Sequence, residues 1–384
     1  MIQLLQRANH TSARYFSNID WFLFLSVLSI SLLGLFTMRS FSVENSFFNK
    51  QMIWIMLAVC GFFVASIPDY GFLRRTPIVV GLYSVVVSLL ALIFVFGAIV
   101  KGGQNRFDLG FFAFQPADIA KLVIVIVLAK YFARRHIEIA HIRHILVSGG
   151  YAFIVFALVF LQPDFGSAIT IGTLWLGLVL VAGISWKHLA TLFVIAAIVS
   201  GGVWHYALRP YQKARILTFI HPLSDIRGTG YNAYQSTVAV GSGQMLGKGI
   251  GYGTQSKLQF LPEFQTDFIY ASFAEEWGFV GVLLLLGLFA IVIVRVLSIA
   301  MHGYDNFDTL VAVGIGIYIS SQFMVHVGMN MGLLPITGTT LPFMSYGGSH
   351  LLTEYIALGM LMGMRRHTRP TIQARDETEL IGAF

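Results

Sequence analysis

Asp267 follows Thr266 and opens a long apolar run, directly after about sixty residues rich in Gly, aromatic and amide side chains. A carboxylate there could accept a proton from a hydroxyl as a general base. The same Asp at a helix start is also favoured by the helix dipole, with Thr266 as a cap. Asp118 and Lys121 stand three apart, on one helical face. They read either as a mutually neutralised pair holding helices together or as groups facing a substrate. Cations such as Lys121 and Arg106 suit a diphosphate. Glu275 and Glu276 are adjacent, so they point about 100° apart on a helix and at most one faces any single partner. His326 and Asn330 are four apart, a spacing for hydrogen bonds between helices, and Glu354 stands alone in a later apolar run.

The surroundings make these groups informative. Of 384 residues, 56% are hydrophobic and only 11% are charged, against roughly 45–50% and about 25% in soluble domains. With 33 Phe and a mean hydropathy of +0.75, a soluble fold could not hide this much apolar surface. A cytosolic enzyme, a nucleic-acid binder and a disulfide scaffold are excluded, and the lone Cys60 permits no internal disulfide. Membrane lipids are the implied surroundings.

The apolar residues fall into ten continuous runs: 21–38, 52–67, 77–100, 116–132, 143–161, 167–184, 188–206, 268–297, 308–334 and 350–364. Runs of this kind predict an all-α polytopic membrane protein rather than a barrel, whose strands alternate. With residues 1–20 inside, 14 of the 25 Lys and Arg fall on inner segments and 4 on short outer loops, Arg39, Lys50, Lys101 and Arg106. The positive-inside rule then puts both termini, including the tail at 365–384, in the cytoplasm. The net charge of +7 is thus mostly topology.

Residues 207–266 form a large outer loop between the seventh and eighth helices. A loop of that length is often functional. Its stretch Tyr231–Val240 predicts a short amphipathic helix lying on the membrane face. With no linker and no internal repeat, 1–384 reads as a single membrane domain. The loop's GSGQMLGKG is not a nucleotide cradle, since no strand precedes it and no Walker residues follow. No His and Cys cluster has metal spacing, so no cofactor is predicted, although a divalent cation neutralising a diphosphate is compatible with the chain.

Several segments resemble the SEDS family (shape, elongation, division and sporulation), its elongation members more than its division members. They are FQPADIAK at 114–121, QPDFGSA at 162–168, RPYQKAR at 209–215, GYNAYQSTVAVGSG at 230–243, GKG at 247–249, GTQSKLQFLPEFQTDFIYASFAEEWG at 253–278 and GLLPITGTTLPFMSYGGS at 332–349. The likeness runs in order over nearly the whole chain. It implies a peptidoglycan glycosyltransferase of the inner membrane, active on the outer side and polymerising lipid II into glycan strands. It also implies a partner, a class B penicillin-binding protein with one transmembrane helix.

The resemblance makes Asp267 the catalytic residue, which the reading of the residues casts as general base. The family's QPSE-x-x-K appears as Gln115-Pro116-Ala117-Asp118 and then Lys121. Asp for Glu keeps the charge on a shorter arm, and Ala removes a hydroxyl. The family's Arg-Trp pair has Arg106-Phe107 as its nearest equivalent, one residue out of register. Lys213 and Arg215 match the loop motif as cations for a diphosphate or for ordering the loop. Ser345, Tyr346, Gly347 and Gly348 read as a turn of close backbone approach or as lining of the cleft. Two rivals stay open: a lipid II flippase, which would need a midplane site open to both sides, and a non-catalytic scaffold that activates the transpeptidase.

Overall fold

The computed structural model describes all residues except 1–18, 40–45, 101–102, 109, 111–112, 135–141, 207, 209, 222–227, 229, 259 and 382–384. Arg7, Arg14, Lys101 and Arg135 of the charge count lie outside the described residues, as does Arg209 of the loop motif.

Among the described residues, ten long helices match the ten apolar runs. They are α1 (Trp21–Arg39), α2 (Ser46–Ala65), α3 (Thr76–Phe96), α4 (Pro116–Ala133), α5 (Ile142–Leu161), α6 (Phe165–Ala182), α7 (Trp186–Tyr206), α11 (Ile269–Met301), α12 (Asn306–Asn330) and α13 (Gly348–Ile381). Eight are long and apolar enough to cross a membrane. The other two, α4 and α13, carry Asp118, Lys121, Lys130 and Glu354. The protein is a predominantly helical, multi-pass membrane protein.

Two boundaries differ from the expectation. The third run ends at Phe96, where Gly97 closes the helix. The chain then forms a small antiparallel sheet, β1 (Ala98–Val100), β2 (Gly103–Asp108) and β3 (Ala113–Phe114). The last helix continues past the membrane run to Ile381, so the expected tail is a helical extension.

Helix α4 is buried over nearly its whole length, Asp118, Lys121 and Lys130 included, the signature of a helix at the centre of a bundle. It packs against α3, α6 and α12. In contrast, α7 has no buried residue. An apolar cavity of about 400 Å³, lined by Phe156, Trp175 and Phe193 among others, separates it from α5 and α6.

Ion pairs tie one end of the bundle. Asp20 accepts hydrogen bonds from Arg295 and Arg365, and Arg74 pairs with Asp305 at 3.3 Å and Asp308 at 3.0 Å. The opposite end gathers the sheet, the 162–164 turn, the long loop and the 331–347 turn.

The long loop is not structureless. It holds α8 (Pro210–Ile220), α9 (Tyr231–Ser242) and α10 (Thr254–Lys257). The helix expected at Tyr231–Val240 exists, and it docks on α11 and α12. Buried Ser236 explains the docking, since its hydroxyl donates to the Asn330 carbonyl at 2.9 Å.

Helix α11 is two helices in line, broken at Gly278, whose φ of 67° and ψ of −168° only glycine adopts readily. Backbone groups freed at membrane depth need protein partners. The loop supplies them: Lys248 and Gly249 N–H donate to the Glu275 and Glu276 carbonyls, both at 3.0 Å. In return Phe279 and Val280 N–H donate to the Gln244 and Met245 carbonyls at 2.9 and 3.1 Å. A β-carbon on Gly247 would lie 2.1 Å from the Glu276 carbonyl oxygen. The GKG motif is therefore a backbone splice.

The same splice brings both Glu275 and Glu276 against the one segment 248–255, on different residues of it. Glu275 Oε1 accepts from Lys248 Nζ at 2.6 Å and from Thr254 N–H at 2.9 Å, and Glu276 Oε1 accepts from Gly251 N–H at 3.1 Å. The loop wraps around the helix break, so each carboxylate finds its own partners in the same segment.

Candidate active site

Pro116 begins α4, where its missing N–H costs nothing. The Gln115 side chain makes no capping bond there and turns elsewhere. Its Nε2 donates to Asp164 Oδ2 at 2.7 Å, while Asp164 Oδ1 caps α6 by accepting from Ser167 N–H at 3.0 Å. The Gln115 N–H donates to Ser349 Oγ at 3.3 Å. Three of the motifs noted in sequence thus meet at one residue.

One turn into α4, Lys121 Nζ donates to Asp118 Oδ1 at 3.0 Å. The two residues are only 2% and 3% exposed, so each charge depends on the other. The ammonium also lies 5.9 Å from the centre of the Tyr318 ring. With its amide oriented to satisfy both neighbours, Gln322 accepts from Lys121 Nζ at 3.2 Å and donates to Glu354 Oε1 at 3.2 Å.

Asp267 sits in a turn rather than in the helix. The cap of α11 is Phe268, which makes no side-chain bond, and the Thr266 hydroxyl turns back to the Glu263 carbonyl at 3.3 Å. Capping therefore does not account for the Thr266–Asp267 pair. Instead, three successive carbonyls around Asp267 are held. Tyr346 N–H donates to the Gln265 carbonyl at 2.9 Å, Ser345 Oγ to the Thr266 carbonyl at 2.8 Å, and Asn330 Nδ2 to the Asp267 carbonyl at 3.0 Å. The half-buried Asp267 side chain lies beside Gly338, whose β-carbon, if present, would stand 3.5 Å from Oδ2. Three held carbonyls fix the backbone from which the carboxylate projects.

The His326 and Asn330 pair makes hydrogen bonds between elements, as its spacing suggested. His326 Nδ1 bonds the Thr339 carbonyl at 2.8 Å, and Asn330 serves Asp267 and Ser236. Ser345 accepts from Leu341 N–H at 2.7 Å, and its carbonyl accepts from Gln51 Nε2 at 3.1 Å. Tyr346 stacks edge-on against Phe47, and burial raises its hydroxyl above the ordinary phenol range, leaving it a neutral donor. Close approach in the SYGG run belongs to Gly348, whose β-carbon would meet the Trp54 ring at 2.0 Å. At Gly347 a β-carbon would make only an ordinary contact with His350 at 3.8 Å.

The other expected cations take different places. Arg106 lies on β2 opposite Ala98, with its guanidinium on Asn105 Oδ1 at 3.3 Å, and it makes no hydrogen bond to the 115–121 segment among the described residues. Lys213 on α8 covers the Trp204 ring at 6.0 Å, and Arg215 is exposed on the same helix. Sequence reasoning missed Gln322, His350 and Gln51. Their signal was a polar residue inside an apolar run, the same signal that drew notice to Glu354.

A family model described as a cell cycle protein, FtsW/RodA/SpoVE, matches residues 14–370. The chain belongs to this family. It is 37% identical over 288 residues to "Peptidoglycan glycosyltransferase MrdB" of Escherichia coli K12, covering 75% of this chain and 78% of that one. It is 33% identical over 352 residues to "Stage V sporulation protein E" of Bacillus subtilis, covering 90% and 95%. Among solved structures, one concerning the structural coordination of polymerization and crosslinking by a peptidoglycan synthase complex aligns at TM-score 0.78 with 30% identity, over 91% of this chain and 98% of that one. The rod shape determining protein RodA of Thermus thermophilus aligns at TM-score 0.68 with 28% identity, over 91% and 97%. In this FtsW/RodA/SpoVE chain the segments 114–121, 162–168 and 332–349 meet at Gln115, and the segments 253–278 and 332–349 meet around Asp267.

Proposed function

We propose that this chain is a peptidoglycan glycosyltransferase that polymerises lipid II for cell elongation, with Asp267 as general base. Family membership and the 37% identity to a peptidoglycan glycosyltransferase support the activity class. The observation that carries the residue assignment is the triple carbonyl clamp, which fixes Asp267 at the bundle end where the motifs converge.

In this reading the site faces outward and both termini lie in the cytoplasm. Asp267 takes the proton of the acceptor sugar's 4-hydroxyl. The freed oxygen forms a bond to the anomeric carbon of the donor, and the bond from that carbon to the diphosphate breaks. Undecaprenyl diphosphate leaves with the bonding pair. Lys121, steadied by Asp118, lies toward the diphosphate. The Gln115 tie to Asp164 and the Ser345-Tyr346-Gly347-Gly348 turn line and brace it. A class B penicillin-binding protein docks its single helix on the apolar outer face of α11, where Phe279, Leu283 and Ile291 are exposed. Convergence at one end of the bundle favours the enzyme over a flippase.

The test uses purified full-length protein, alone and with its transpeptidase, and labelled lipid II. Wild type should form glycan strands and Asp267→Ala should not. A folded Asp267→Ala protein polymerising at full rate would end the catalytic assignment.

A further inference from the structure

Glu354 is a carboxylate 1% exposed in the middle of the bundle. Its Oε2 accepts from Phe343 N–H at 2.7 Å. Its Oε1 lies 3.2 Å from the Gln322 amide nitrogen and 3.2 Å from His350 Nε2. Both oxygens are therefore engaged, and they serve different elements.

The Oε1 side leads to Lys121. The Gln322 amide is polar at both ends: its nitrogen needs an acceptor and its oxygen needs a donor. Glu354 offers only acceptors, so it takes the nitrogen. The oxygen is then turned toward Lys121 Nζ. The Lys121 ammonium, already on Asp118, gains a second acceptor whose direction Glu354 sets.

The Oε2 side leads to Asp267. Phe343 holds φ at +62°, a conformation costly for a side chain this large. Such a residue stays in place only when its surroundings force it. Here Glu354 holds its N–H and the Ser31 hydroxyl holds its carbonyl at 2.8 Å. Two residues on, Ser345 is bonded to the Thr266 carbonyl, and Tyr346 N–H to the Gln265 carbonyl. A continuous bonded path thus runs Lys121, Gln322, Glu354, Phe343, Ser345, Thr266 and ends beside Asp267.

We infer that Glu354 is a positioning residue for the transfer reaction, which orients Lys121 through Gln322 and holds the turn that clamps Asp267. It touches neither substrate nor reacting atoms. The inference rests on the proposed roles of Lys121 and Asp267.

Glu354→Gln separates the two arms. Its amide oxygen keeps the Phe343 N–H bond, so the turn and Asp267 stay in place. Its amide nitrogen now faces Gln322, which must turn its own nitrogen toward Lys121, so donor meets donor. Adding Gln322→Glu restores the order. The amide at position 354 then donates to the carboxylate at position 322, and that carboxylate accepts from Lys121. The double variant keeps the total charge and composition of the wild type.

The experiment measures lipid II polymerisation by the full-length protein in proteoliposomes, with a thermal melt of each variant and Lys121→Met as reference. Glu354→Gln should raise KM for lipid II about tenfold with kcat within about threefold of wild type. Glu354→Gln with Gln322→Glu should recover KM to within about threefold, which a purely structural carboxylate would not do. Wild-type kinetics in folded Glu354→Gln, or no recovery in the folded double variant, would overturn the relay alone. Wild-type kinetics in Lys121→Met would overturn the site reading and the relay with it.

Discussion

Ser345 Oγ donates to the Thr266 carbonyl at 2.8 Å, across the gap between the turn before α13 and the turn before α11. The same oxygen accepts from Leu341 N–H at 2.7 Å. One hydroxyl thus closes its own turn and holds the residue ahead of Asp267. Ser345→Ala leaves a buried N–H and a carbonyl unsatisfied, worth about 1–3 kcal/mol each at most. The expected outcome is a protein that still folds, melts several degrees lower and polymerises lipid II at least about tenfold more slowly. Thermal melts and single-turnover polymerisation check it. Unchanged turnover would mean that the clamp does not aim Asp267.

The break in α11 makes a prediction about folding. At Gly278 a side chain meets both a backbone held at a φ of 67° and the Gly247 nitrogen at 2.1 Å. Gly278→Ala should cost several kcal/mol and reduce the yield of monodisperse protein sharply. Gly287, nine residues along the same helix, has nothing within 4 Å of its would-be β-carbon. Gly287→Ala should behave as wild type in the same size-exclusion assay.

Glu275 is fully buried while Lys248, its partner at 2.6 Å, keeps 30% of its side chain exposed. Lys248→Ala strips one charge from a carboxylate that retains Thr254 and Gln255 N–H as donors. The loss should be about 1–3 kcal/mol, below the full cost of orphaning a buried ion. Adding Glu275→Gln should recover part of it. A denaturation series on the single and double variants measures the coupling.

At the far end, Asp20 is bonded by Arg295 and Arg365. Asp20→Asn should lower the melting temperature and leave kcat for polymerisation within about twofold of wild type. A large fall in kcat without a change in stability would place chemistry at the wrong end of the bundle.

The ten spans were legible in the sequence because bilayer depth imposes continuous apolar runs whatever the neighbours do. The Asp118–Lys121 pair was legible because three-residue spacing is a local property of a helix, and the ion pair follows from it. Asp267 drew notice by its place at the join of loop and membrane. The motifs also carried the family likeness, since they mark positions where the backbone or a buried polar group has few alternatives.

What the sequence left open was set by contacts between distant segments. Local pattern made Glu275 and Glu276 face different partners, but only the packed chain shows that those partners lie in one loop, 248–255, docked at the break in the helix at Gly278. It made Thr266 a cap and Asp267 a helix start, yet the carbonyls of 265–267 bind Tyr346, Ser345 and Asn330 from elsewhere in the chain. Arg106 and Lys121 both suited a diphosphate, with Arg106 one residue out of the family's register, and of the two only Lys121 lies in the buried network, joined through Gln322 to Glu354. Sequence alone determined which residues would be costly in a membrane. The tertiary structure decided which of those costs are met by one another, because a hydrogen bond needs its donor and acceptor about 3 Å apart, and only the packed bundle brings residues 121, 322 and 354 that close.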